Sequence, residues 1–297
     1  MKPLLVLVMT AMVAMRSAHA DPTVASKTTV VDGIKIHYYE AGTGEPLLLL
    51  HGYAQGAHMW KAVMPELAKK FHVIAPDLPG FGESGIPADG LDMKTAAVRI
   101  HDFTKSLKIE KTRVVGHDIG LMVAYAYAAM YQADTQKLVL MDAFLPGVGN
   151  LLDFYHDPKL WHFFFNGPTP EELVKGRERT YFLHFWDGFA GDPNRHAITE
   201  ADRKVYLSSY TQDGRMRAGW AYFANFPQTA KDFDVLAKTK LKMPVLVIAG
   251  EKAAGEFLGA QVKLVATDVT SKIIKGVGHW LIDEDRTNTL AAIEAFL

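Results

Sequence analysis

Residues 114–120 read VVGHDIG: an apolar run, then Gly116-His117-Asp118-Ile119-Gly120, followed by the helical pattern LMVAYAYAAM. Two glycines flanking a central residue let a strand turn sharply into a helix and expose the side chain between them. In the pattern G-x-S-x-G that side chain is a serine; here it is Asp118. A serine needs a base to become a nucleophile, whereas a carboxylate is already ionised at neutral pH. Attack by a carboxylate on an acyl carbon gives a labile anhydride, so esters and peptides suit it poorly. Displacement of a leaving group from a saturated carbon gives an alkyl ester instead. An epoxide oxygen or a halide meets that requirement.

The ester must then be hydrolysed, which calls for a base, a group that orients it and donors for a developing oxyanion. Gly278-His279-Trp280 supplies a late histidine after the last apolar run. Asp142 closes the run KLVLMD and would hold His279 in one tautomer and stabilise its protonated form. His51-Gly52-Tyr53 follows PLLLL directly, so the backbone N–H of Tyr53 pairs with that of Ile119 as a two-donor oxyanion hole. The chain order is nucleophile, acid, histidine. Glu251, just beyond VLVIAG, competes with Asp142 for the acid role. His117 is expected to support the turn, and DLPGFGES (77–84) to be a structural Gly/Pro turn.

Elements must bring these distant residues together. Apolar runs predict strands at 28–31, 34–39, 46–50, 72–76, 112–116, 137–142, 244–249 and 271–275. Helical patterns lie at 58–70, 92–107, 119–131, 254–267 and 284–297. Uninterrupted Val/Ile/Leu runs suit a parallel sheet covered on both faces, and the strand–helix alternation predicts a doubly wound α/β domain. The alternation stops near residue 144 and resumes near 240; the intervening stretch is rich in Phe, Trp, Tyr and His (WHFFF, TYFLHFW, WAYFANF). It reads as a helical cap over the carboxyl ends of the strands, where an aromatic lining makes an apolar pocket. The expected organisation is a signal peptide at 1–20, a core at 21–143 and 236–297, and a cap at 144–235.

The leader reading rests on Lys2, the apolar stretch Leu4 to Met15 and the A-x-A site Ala18-His19-Ala20. That stretch is too short to span a bilayer as a helix. The predicted location is therefore periplasmic or secreted, with no stable membrane insertion after signal removal. The chain has 297 residues and no cysteine, so zinc–thiolate and cysteine-nucleophile chemistry are excluded. A formal net charge of -1 gives no basic footprint for nucleic acid. The histidines show no metal-ligand spacing, and no cofactor is implied.

GHDIG, the HG dipeptide, DLPGFGES and GHW together resemble the Asp-nucleophile α/β-hydrolases, which include epoxide hydrolases, haloalkane dehalogenases and haloacetate dehalogenases. More narrowly, MPELAKKFHVIAPDLPG, LWHFFF, LAKTKLKMP and GVGHWL are similar to Cif-like secreted bacterial epoxide hydrolases over nearly the whole mature chain. The resemblance implies an α/β-hydrolase fold, a mostly parallel doubly wound sheet with a helical cap inserted after the sixth strand. It implies hydrolysis of a small apolar epoxide by water to a vicinal diol, and leaves room for a homodimer. In many relatives the acid lies three residues past the glycine of the strand matching VLVIAG. Here that place is Ala253, which favours Asp142.

Cif-like members use a cap histidine and a cap tyrosine to assist ring opening. The histidine carries over to His162 in LWHFFF, but Phe223 stands at the place of the tyrosine. Tyr222 is one residue earlier, about 100° away on a helix, so it needs a helix irregularity to serve, with Tyr181 and Tyr210 as alternatives. HGYA also lacks the proline many epoxide hydrolases have as fourth residue. Two other functions compete. A dehalogenase would use the same nucleophile, but the resemblance implies that Tyr53 and Ile119 stand in the places of the Trp or Asn donors of haloalkane dehalogenases, and IGLMVAY lacks the arginines by which haloacetate dehalogenases hold the substrate carboxylate. Trp161 and His162 remain as residues that could line a halide site. A host-acting secreted protein that only binds would have no need for the complete set of Asp118, Asp142 and His279.

Overall fold

The computed structural model describes residues 23–149, 151 and 157–297. The leader at 1–20 lies outside the described residues. Eight strands form one sheet: β1 (Ala25–Val31), β2 (Ile34–Ala41), β3 (Glu45–Leu50), β4 (Phe71–Pro76), β5 (Thr112–His117), β6 (Thr135–Met141), β7 (Val245–Gly250) and β8 (Val269–Ile274). Their order is β1-β2-β4-β3-β5-β6-β7-β8. The pairs β1–β2 and β2–β4 are antiparallel and every later pair is parallel. Leu47 to Leu50, Val114, Val115, Leu138 to Met141 and Val245 to Ala249 are all buried, because helices cover both faces.

The expected 58–70 helix is instead a 3-10 turn (Ala57–Ala62) and a short helix, α1 (Met64–Leu67), with Pro65 at its first turn. Pro65 has no backbone N–H to give the preceding turn, so one continuous α-helix cannot run through it. Helix α2 (Met93–Ser106) starts at Asp92, whose side chain accepts from Thr95 N–H at 2.8 Å. Helix α3 (Ile119–Met130) leaves the turn after β5 and is buried along ten consecutive residues from Ile119 to Ala128.

Between β6 and β7 lie a 3-10 segment (Pro158–Phe163) and helices α4 (Pro168–Val174), α5 (Glu178–Trp186), α6 (Glu200–Tyr210), α7 (Arg215–Ala224) and α8 (Phe226–Leu236). Helix α8 packs on α2 and α3 as well as on α7, returning the chain to the sheet. Beyond β7 come α9 (Gly255–Val265), α10 (Leu281–Glu284) and α11 (Arg286–Phe296). The expected helix at 284–297 is these last two, separated by Asp285, whose side chain caps α11 by accepting from Asn288 N–H at 3.0 Å. Among the described residues, no helix is long and apolar enough to cross a membrane.

Candidate active site

Asp118 sits between β5 and α3 with φ +54° and ψ −125°, a backbone region that L-residues rarely adopt. The turn is held by close packing. A Cβ at Gly120 would lie 2.4 Å from the His51 carbonyl oxygen, so the first turn of α3 can press on the end of β3 only with glycine there. Gly52 is equally constrained from above, since a Cβ there would fall 2.6 Å from the Asp118 Cβ. The loop after β3 therefore passes directly over Asp118.

That closeness makes the two carboxylate oxygens unlike. Oδ1 accepts the Tyr53 backbone N–H at 2.7 Å, and the Ile119 N–H also stabilises the carboxylate. Oδ2 lies 3.7 Å from His279 Nε2. Burial raises the Asp118 pKa, and the charge on His279 and the two backbone donors only partly offset it.

His279 Nδ1 hydrogen-bonds Asp142 Oδ2 at 2.8 Å. Asp142, at φ +45° after β6, is buried. Its Oδ1 accepts from Gly250 N–H at 2.9 Å and Ala254 N–H at 3.1 Å. The loop after β7 thus contributes backbone donors to Asp142. Glu251 instead pairs at the surface with Lys275 at 2.7 Å and accepts the Gly276 N–H at 2.9 Å. Burial alone would lower the His279 pKa; the Asp142 hydrogen bond and the charges of Asp142 and Asp118 outweigh it and raise the value.

One support could not be read from sequence. Buried Glu284 accepts from the N–H groups of Gly278 (3.0 Å), Trp280 (3.0 Å) and Gly191 (2.7 Å), wrapping the loop that carries His279. The only hint in the sequence is an acid five residues past the histidine, a common spacing. His117 is neutral, its pKa held well below the usual value by burial and by His279. Its Nε2 donates to the His279 carbonyl at 2.9 Å, joining the turn it is expected to support to the loop that carries His279.

A cavity of about 470 Å³ opens over Asp118, walled by Phe163, Phe189, Phe223 and Leu160 and bordered by Asp142, His162 and His279. His162 is buried, and burial followed by the nearby histidines lowers its pKa to about 3. It is therefore a neutral ring with a hydrogen bond to give. Its Nδ1 has no well-formed protein partner among the described residues.

Tyr222 is a correction. Its ring is fully buried against Phe81 and its hydroxyl donates to the Pro79 carbonyl at 2.9 Å. Helix α7 continues without the irregularity that would turn it inward, so Phe223, one position on, faces the cavity. Tyr181 and Tyr210 do not border the cavity either; both bond the loop after β3, as detailed below. Trp161 directs its indole N–H to His184 Nε2 at 3.1 Å and is absent from the cavity wall. Among the described residues there is no cluster of three His, Cys, Asp or Glu able to hold a metal ion.

Residues 45–286 match the family described as the alpha/beta hydrolase fold. The chain belongs to the α/β-hydrolase family. Within that family it is similar to a soluble epoxide hydrolase of Corynebacterium sp., with 31% identity over 86% of this chain and 91% of the relative. The crystal structure of wild-type Cfl2 from Burkholderia cenocepacia superposes with a TM-score of 0.85 at 32% identity, over 91% of this chain and 95% of that one. The Cif epoxide hydrolase from Acinetobacter nosocomialis, at 24% identity, shares the fold with a TM-score of 0.84 over 92% of this chain and 89% of its own. This α/β-hydrolase is an enzyme of the epoxide-hydrolase-like group.

Proposed function

We propose that the enzyme opens an apolar epoxide to a vicinal diol through an alkyl ester on Asp118. The observation that carries this reading is the inequivalence of the Asp118 oxygens. Oδ1 is held by Tyr53 N–H at 2.7 Å, leaving Oδ2 on the His279 side to attack. Oδ2 forms a bond to one epoxide carbon, the carbon–oxygen bond of the ring breaks, and its electron pair stays on the departing oxygen. Neutral His162 stabilises that oxygen by a hydrogen bond but has no proton to release, since its pKa is about 3. The proton comes from His279, whose affinity for it, raised at rest by the two carboxylates, falls once Asp118 is esterified.

Neutral His279 then takes a proton from water as the water oxygen bonds to the Asp118 carbonyl carbon. Negative charge gathers on Oδ1, facing the Tyr53 and Ile119 N–H groups. The ester bond to the product breaks, and the product oxygen receives the proton from His279. Asp118 ionises again and His279 is reprotonated, so the cycle closes. No cofactor enters it.

The epoxide is favoured over a halide because Trp161 is turned toward His184 and, among the described residues, no side-chain pair of halide donors borders the cavity. The leader read at residues 1–20 supports export to the periplasm or beyond, and N-terminal sequencing of protein recovered outside the cytoplasm should begin at Asp21. A single-turnover reaction in ¹⁸O-water tests the mechanism. The first diol should carry unlabelled oxygen from Asp118 while the label remains in the enzyme. Label in that diol and none in the protein would overturn the ester.

A further inference from the structure

Three consecutive residues of the loop after β3 are each bonded to a different aromatic side chain from the helices between β6 and β7. The Tyr53 hydroxyl meets the Tyr181 hydroxyl at 3.0 Å, Trp186 Nε1 donates to the Ala54 carbonyl at 2.9 Å, and the Tyr210 hydroxyl donates to the Gln55 carbonyl at 3.3 Å. All three contacts are buried. Trp220 Nε1 donates to the Tyr181 hydroxyl at 2.9 Å, tying the first contact to α7. Ala54 has φ +61°, a left-handed conformation costly for a residue with a Cβ, which persists only where its surroundings over-determine it. An indole N–H can only donate. If the Ala54 carbonyl turned away, both it and the Trp186 N–H would be left unpaired in a buried setting.

We infer that Tyr181, Trp186 and Tyr210 form a clamp that positions the Tyr53 N–H for one half of the reaction, hydrolysis of the Asp118 ester. The inference rests on the ester reading above. In ring opening, Oδ1 starts with carboxylate charge and loses it, so a firmer donor gains nothing for that step. In ester hydrolysis the same oxygen gains charge, and the Tyr53 N–H must already be in place. The cap thereby acts on the chemistry from behind the oxyanion hole, through residues that border no part of the substrate cavity.

Rapid-quench mass measurement of the Asp118 peptide, with styrene oxide as probe, separates the two steps. Tyr181→Phe and Trp186→Phe should leave the rate of ester formation within about twofold and slow ester hydrolysis about 10-fold, part of the 10²–10³ lost when one oxyanion donor is deleted. The ester should then build up at steady state. Tyr53→Phe removes the other end of the same bond and should reproduce Tyr181→Phe, with the double variant no slower than either single. If Tyr181→Phe does not fold, Tyr53→Phe and Tyr210→Phe carry the same test. Equal slowing of both steps, or an unchanged rate of ester hydrolysis, overturns the clamp. The single-turnover reaction of the wild type in ¹⁸O-water is the control on the underlying reading. If label enters the protein while the clamp variants hydrolyse the ester normally, only the clamp fails; if no label enters the protein, the ester mechanism fails with it.

Discussion

His162 is neutral and walled by aromatic rings, and its Nδ1 has no well-formed partner among the described residues. In the proposed mechanism its contribution is confined to the step in which charge appears on the epoxide oxygen. His162→Phe should therefore slow ester formation about 100-fold, within the range for a positioned proton-sharing group, and leave ester hydrolysis unchanged. Tyr222 makes the opposite case. Tyr222→Phe should keep kcat within about twofold yet cost about 1 kcal/mol in denaturant unfolding, the worth of the bond to Pro79. Asp118, Asp142 and His279 were legible because each follows a strand, and strand ends in a parallel sheet converge on one edge. The direction of Tyr222 was not legible, since a one-residue error in helical phase moves a side chain from cavity to core. Trp186 and the tyrosine contacts were invisible for another reason: they are pairings over long sequence separations that no local pattern encodes, whereas Glu284 bonds close neighbours at a spacing too common to single out.

Among the elements, the strands were readable to within three residues at every end because apolar runs of that length have few other uses in a buried sheet. Helices were less faithful wherever a proline or an aspartate cap divided one apolar pattern into two. One of those divided pieces, α10, carries Asp283, whose carboxyl hydrogen-bonds Gln55 Nε2 at 3.0 Å beneath the loop after β3. Burial pushes the Asp283 pKa up to about 7, with Asp202 adding to the rise and Gln55 opposing it. A carboxyl with a raised folded-state pKa binds its proton more tightly in the native form. Its stabilising contribution is full at about pH 4 and below, and is lost as pH rises to about 7. Asp283→Asn mimics the protonated form, so thermal melts should show it gaining on the wild type between pH 5 and pH 8. An equal difference at both pH values would count against this assignment.

For the molecule as a whole, the same sign applies to Asp118. Burial lifts its pKa, so the ionised carboxylate that the proposed mechanism uses weakens the fold at neutral pH. Asp118→Asn should abolish turnover and raise the melting temperature by a few degrees, the common exchange between a working site and a stable one. A lowered melting temperature would show that the pairing with His279 outweighs burial.

Strands β6 and β7 are adjacent and parallel, with Leu138 opposite Val245 and Met141 opposite Ile248. Two such neighbours need a crossover in any case, and α8, lying on α2 and α3, already makes it. Everything from Pro158 to Ala224 is an enlargement of the path leading into that crossover. Evolution, or an engineer, can rewrite this stretch to admit a new molecule without re-threading a single strand, provided the replacement still holds Tyr53, Ala54 and Gln55 where they are.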